Sequence, residues 1–164
     1  MQTRGYSLVE TLVLLGLIAI VLAYATPRFA QYLKGYRGEG QMRMIYAELQ
    51  QARANALYLR RTTRVKLYRN CLEVYSSAQD RLQGAAPVLS KALGDSITSN
   101  GSGDGEKGYP IDFGVNGLAT GRCSICLESS VGGGLDSVVV AGTRVMIGTK
   151  DKGDDCKAEN ITAR

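Results

Sequence analysis

A single carboxylate, Glu10, stands near the start of an apolar run that extends from Leu12 to Ala25 and closes at Pro27. Tyr6 to Ala25 is 20 residues, the roughly 20 needed to cross a hydrocarbon core about 30 Å thick. A carboxylate in such a segment is costly unless paired, so Glu10 calls for a cationic partner. The second candidate chemistry belongs to four cysteines, Cys71, Cys123, Cys126 and Cys156, all beyond the apolar run. An even count reads as disulfides, with three connectivities open. The favoured pattern ties Cys156 back to the Cys123/Cys126 region and clamps the C-terminal tail. Cys123 and Cys126 form a C-x-x-C, yet the thioredoxin-like βαβ context that would make it a redox pair is missing. A four-cysteine zinc site needs two such clusters, and the chain has one. Histidine is absent, which removes His-based acid–base triads and most transition-metal sites. No catalytic residue, metal or cofactor is expected, and a membrane-anchored thiol–disulfide enzyme is the outlying alternative.

These groups must be carried by a long helix and a set of short strands. Pro27 can bend a helix without ending it, so the apolar segment should continue. Gly35, Gly38 and Gly40 fall within six positions, and each costs a helix interior about 1 kcal/mol relative to Ala. A bend or melted turn is expected there. Ile45, Leu49, Ala52, Ala56 and Leu59 then recur at spacings of four and three, an apolar stripe along one helix face. Thr62–Tyr68 alternates, with Thr63, Val65 and Leu67 on one side and Arg64, Lys66 and Tyr68 on the other. Arg69-Asn70 makes a turn into a returning strand, Cys71–Ser76. Further strands are expected around Ile97 and at Ile111–Phe113, Cys123–Glu128, Ser137–Val140 and Arg144–Thr149, with Gly-containing turns between them. The tail Lys150–Arg164 reads as loose except at Cys156. One long helix followed by short strands is an α+β pattern.

The N-terminus resembles the class III leader of type IV pilins and type II secretion pseudopilins. Met1-Gln2-Thr3-Arg4-Gly5 precedes Tyr6-Ser7-Leu8-Val9-Glu10, with Gly5 before the cleavage point, Tyr6 after it and Glu10 five residues in. Tyr6 replaces the family's usual Phe and keeps an aromatic ring; Pro27 falls where the family has a helix-kinking proline. The middle and the C-terminal half resemble the GspH/FimT branch of minor pilins and pseudopilins. The matching segments are Leu49-Gln-Gln-Ala-Arg53-Ala-Asn-Ala-Leu57, Ile111-Asp-Phe113, Ile125-Cys126-Leu127 and Val138-Val-Val-Ala-Gly142-Thr-Arg144-Val145. The resemblance implies a pilin-like α+β fold, a long N-terminal helix packed on an antiparallel β-sheet. Residues 1–5 would be the leader and 6–27 the transmembrane and assembly helix. Residues 28–61 would be the periplasmic half of that helix, and 62–164 a sheet domain with a C-terminal tail.

Several roles follow from that resemblance. A prepilin peptidase would cut after Gly5, and the new amine on Tyr6 would be N-methylated and remain cationic. Glu10 would pair with that amine on a neighbouring subunit and set the axial register of a filament, a strong attraction where the dielectric is low. The plain alternative is a signal anchor with a stray interfacial Glu. The protein would sit in the inner membrane as a single-pass chain, N-terminus cytoplasmic and C-terminal domain periplasmic, before entering a pilus or pseudopilus. Arg4 favours that orientation, while Arg28, Lys34 and Arg37 oppose it by simple counting. Partners would be other major and minor pilins or pseudopilins, the inner-membrane assembly platform and the bilayer. Its work would be to prime or cap a type IV pilus, with an H-type secretion pseudopilin as the alternative. The retained Glu10 argues against the terminal tip position.

Two binding readings remain open. Some minor pilins of this branch bind DNA through a C-terminal Gly-Arg-x-Arg; here Gly142-Thr-Arg144 and Gly121-Arg122 are partial matches. Phosphate contacts need clustered Lys/Arg, and Asp151, Asp154, Asp155 and Glu159 in the tail would oppose a nucleic-acid backbone. Between Arg28 and Arg69, ten Lys/Arg face only Glu39 and Glu48 in a chain of net charge +5. That excess reads as a solvated helix face, or as a surface for anionic head groups, nucleic acid or acidic neighbours. Asn100, Ser102, Asp104 and Glu106 alternate with Gly and Lys and faintly resemble a calcium loop, without its acidic density or closing Glu.

Overall fold

The computed structural model describes residues 7–101, 108–128, 134–151, 153 and 155–164. Gly5 and Tyr6, and Ser102, Asp104 and Glu106 of the calcium-loop reading, lie outside them. The chain divides into two compact units, residues 1–34 and 35–164. Helix α1 is assigned from Leu8 to Leu59 with Pro27 inside it. In the first unit its side chains are almost all exposed, and an 18-residue window has mean hydropathy 2.4. By length and composition this helix could cross a membrane.

In the second unit the helix is buried along one stripe. Met42, Ile45, Leu49, Ala52 and Ala56 are each no more than 1% exposed. Their alternating spacings of three and four keep them on one side of a 3.6-residue helix. The melted turn that was the alternative to a bend at Gly35, Gly38 and Gly40 is absent, because α1 is helical throughout that stretch. Gly38 has a packing reason to be there: a Cβ would stand 2.8 Å from Leu127 Cδ1. The helix ends at Arg60, which adopts φ 49°, the left-handed region that costs a side-chain-bearing residue about 1–2 kcal/mol. Arg60→Gly should therefore raise stability by about 0.5–1 kcal/mol, read as a higher thermal midpoint for the detergent-solubilised chain.

Ten strands follow: β1 Thr63–Leu67, β2 Cys71–Tyr75, β3 Leu89–Ala92, β4 Ile97–Ser99, β5 Tyr109–Phe113, β6 Ala119–Thr120, β7 Cys123–Leu127, β8 Ser137–Val140, β9 Val145–Lys150 and β10 Ile161–Ala163. They form two five-stranded sheets rather than one, in the orders β3-β2-β1-β5-β6 and β10-β9-β8-β7-β4. Every pairing is antiparallel. One core joins the helix stripe to Val65, Leu72 and Phe113 of the first sheet and to Ile125, Val138 and Val140 of the second. The C-terminal tail is not loose. Ile161 pairs with Lys150 and Ala163 with Gly148, and a Cβ on Gly148 would collide with the Thr162 carbonyl. Glycine lets β10 close on β9.

Away from the core, the first sheet carries a buried ionic network. Cross-strand register places Arg64 opposite Asp112 and Lys66 opposite Glu73, on the face that Val65 and Leu67 leave. Asp80 enters from the following loop. It accepts from Lys66 Nζ at 2.9 Å and caps the short helix Arg81–Gln83 through the Leu82 amide. Arg64 grips Asp112 with two bonds, 2.6 and 2.8 Å, and Arg81 reaches buried Glu73 at 2.7 Å. Lys66, which the alternating pattern places on the non-core side, is only 3% exposed.

Candidate functional site

Glu10 lies in the first turn of α1. That position suits a carboxylate, since the unpaired amides of a helix N-terminus carry partial positive charge. Thr11 supports the same turn by donating to the Leu8 carbonyl at 2.8 Å. Among the described residues Glu10 has no ion-pair partner. Around it Leu8, Val9, Leu12, Leu15, Ile18 and Val21 are all more than half exposed. A helix apolar on every side is stable only when lipid or other helices cover it. Tyr24, Phe29 and Tyr32 follow, also exposed, and the Arg28 guanidinium lies 5.9 Å from the Tyr24 ring centroid. Aromatic rings beside a cation at the end of an apolar span are a pattern enriched where helices leave a bilayer.

Of the four candidate cysteines, Cys126 and Cys156 form a disulfide; Cys71 and Cys123 are free thiols. Strand parity explains the choice within C-x-x-C. Residues three apart on β7 point to opposite faces, so only one of Cys123 and Cys126 can meet Cys156. Cys123 goes to the core, where burial pushes its thiol up to about 12. Cys71 belongs to the other sheet, its thiol also raised by burial. The C-x-x-C therefore lacks the internal bond and the low thiol pKa that exchange chemistry uses.

Arg122 and Arg144 are 22 residues apart in sequence but line one cleft of about 480 Å³ on the second sheet. Arg122 precedes β7 and Arg144 precedes β9; the first residues of those strands, Cys123 and Val145, pair with the same β8 residue, Val140, from either side. Both arginines are exposed. No group of three or more His, Cys, Asp or Glu is arranged to hold a metal among the described residues.

The arrangement has a counterpart among solved structures. A crystal structure of the type IV minor pilin FimU of Pseudomonas aeruginosa superposes with TM-score 0.50 at 15% identity, over 73% of this chain and 91% of FimU. The fold is a pilin fold. A second crystal form of FimU gives TM-score 0.47 over 66% of this chain and 90% of that one, again at 15% identity. No protein-family model and no curated protein sequence matches the chain. In this molecule the pilin fold is a long N-terminal helix laid on antiparallel sheets, with the disulfide Cys126–Cys156 holding the C-terminal tail.

Proposed function

We propose that this protein is a minor pilin, a structural subunit that primes or caps a type IV filament after loss of residues 1–5. The observation that carries the reading is a pilin fold whose helix leaves an uncovered apolar stretch, Leu8–Leu22, with one acid at its head. Residues 6–27 would lie in the inner membrane and then in the filament interior. Residues 28–61 would continue the helix beneath the sheet domain, 62–164. A prepilin peptidase would cleave between Gly5 and Tyr6 and the Tyr6 amine would be methylated. Glu10 on one subunit would hold that amine on the next, since a charge pair in low dielectric fixes register more firmly than apolar contact does. Other pilins and the assembly platform are the partners this work requires; a secretion pseudopilin would use the same parts in another machine.

The test is assembly. Co-expressed with a prepilin peptidase, the chain should yield a membrane product whose N-terminal sequence begins at Tyr6. Glu10→Ala should be processed and inserted like the parent yet be missing from sheared filaments. A product beginning at Met1, or normal incorporation of the variant, would defeat the reading.

A further inference from the structure

The cleft that Arg122 and Arg144 share has an organised floor. Cross-strand register aligns Ser124 of β7, Val139 of β8 and Met146 of β9 in one row, on the face opposite core residues Ile125 and Val138. All three line the cleft, and Ala158 of the disulfide-held tail stands beside them. Ser124 is 1% exposed, and among the described residues its hydroxyl has no hydrogen-bond partner. Buried hydroxyls are almost always paired, so this one is a spare donor covered just beneath the cleft floor. Asn100 adds another. Its Oδ1 is taken by the Ser124 amide at 2.6 Å, which leaves its amide N–H groups for the cleft. Among the described residues neither arginine has an ion-pair partner and no Asp or Glu lines the cleft.

We infer that this cleft binds an acidic peptide segment: a Glu or Asp carboxylate between Arg122 and Arg144, with its apolar neighbours on Val139 and Met146. Donors without a facing acceptor select an oxyanion, and guanidinium–carboxylate bonds are the strong kind. The apolar floor rewards a ligand whose charge is single and flanked by aliphatic groups. A nucleic-acid strand fits less well. Two guanidinium groups are few for a phosphate track. The inference stands apart from filament membership, because the site is complete within one chain.

The test uses the full chain in detergent micelles with 13C-methyl methionine, the Met146 signal being assigned by Met146→Leu. Ac-Val-Glu-Val-NH2 should shift the Met146 methyl saturably, and Ac-Val-Gln-Val-NH2 should not. Arg122→Ala and Arg144→Ala should each weaken the peptide roughly tenfold, as expected for loss of a charged hydrogen bond. Ser124→Ala should weaken it several-fold while leaving the thermal midpoint unchanged or raised, since its hydroxyl has no partner to lose. Equal binding of the glutamine peptide, or indifference to the arginine variants, would overturn the proposal. So would saturation by inorganic phosphate or by a single-stranded oligothymidylate at concentrations where the glutamate peptide gives no shift.

Discussion

Asp80→Asn should destabilise the detergent-solubilised protein by about 3 kcal/mol or more, the usual cost of breaking a buried ion pair from one side. Lys66 and Asp80 have side chains only 4% and 8% exposed, so water cannot replace the lost carboxylate. Lys66 Nζ would keep its charge and lose its acceptor, and Arg64, 3.5 Å from the same carboxylate, would lose a secondary contact. The asparagine can still cap the Leu82 amide, which separates loss of the ion pair from loss of the cap. Lys66→Met with Asp80→Asn should recover much of the stability, because no buried charge then remains. The pH dependence has a fixed sign. The Lys66 hydrogen bond holds the Asp80 carboxyl below its ordinary range, with burial opposing and the Leu82 amide assisting. A depressed carboxyl contributes stability that is complete above its unfolded pKa and is lost as pH falls through the folded one. The parent should therefore lose stability on acidification below the ordinary carboxylate range, more steeply than Asp80→Asn. Parallel thermal melts from neutral to acidic pH would measure this; parallel slopes for the two proteins would contradict it.

Removing the Cys126–Cys156 bond should cost about 3 kcal/mol. The bridge closes 30 residues, and chain-entropy scaling places a loop of that size between those worth about 3 and 4.7 kcal/mol, from which native-state effects usually subtract. Cys156→Ser should lower the thermal midpoint. It should also release the segment through Ala163 first, because β10 is three residues long and holds only the edge of β9. Hydrogen exchange should then show early loss of protection at Asp151 and Arg164, whose amides bond Asn160 and Ile147 across the β9–β10 pairing, while α1 and β1 stay protected. Uniform loss across the chain would mean that the bridge supports the whole fold rather than the tail. Cys123→Ser should behave differently, leaving the tail in place and costing only what a hydroxyl costs in an apolar core.

The helix stripe was legible because Ile45, Leu49, Ala52 and Ala56 all face the core, whereas Leu59, assigned to the stripe by the same spacing, is 47% exposed at the last position of the helix. The hairpin of β1 and β2 was legible for a similar reason: alternation, a turn at Arg69-Asn70, alternation again. The division into two sheets was not. Whether β5 adds to β1 or to β7 is settled by contacts distant in sequence, and local alternation is blind to them. Strand β3, Leu89-Ser-Lys-Ala92, escaped because it is a short edge with little apolar content, and β10 because its signal is three residues. The glycines at 35, 38 and 40 misled through propensity alone; burial of the stripe and the close approach of Leu127 outweigh it. Among the site residues, Glu10 was conspicuous from its apolar surroundings. The meeting of Arg122 with Arg144 needed the order β7-β8-β9, and the spare hydroxyl of Ser124 carries no sequence signature.

Strand β10 has a consequence for handling the molecule. While it is seated, it covers the outer side of β9 from Gly148 to Lys150. A reducing buffer that opens the bridge to Cys156 would let this short strap drift off, baring Gly148–Lys150 as well and leaving a longer sheet margin ready to zip onto a second molecule. Preparations kept with thiol reagents should accordingly turn cloudy or run large on a sizing column, and oxidised ones should not.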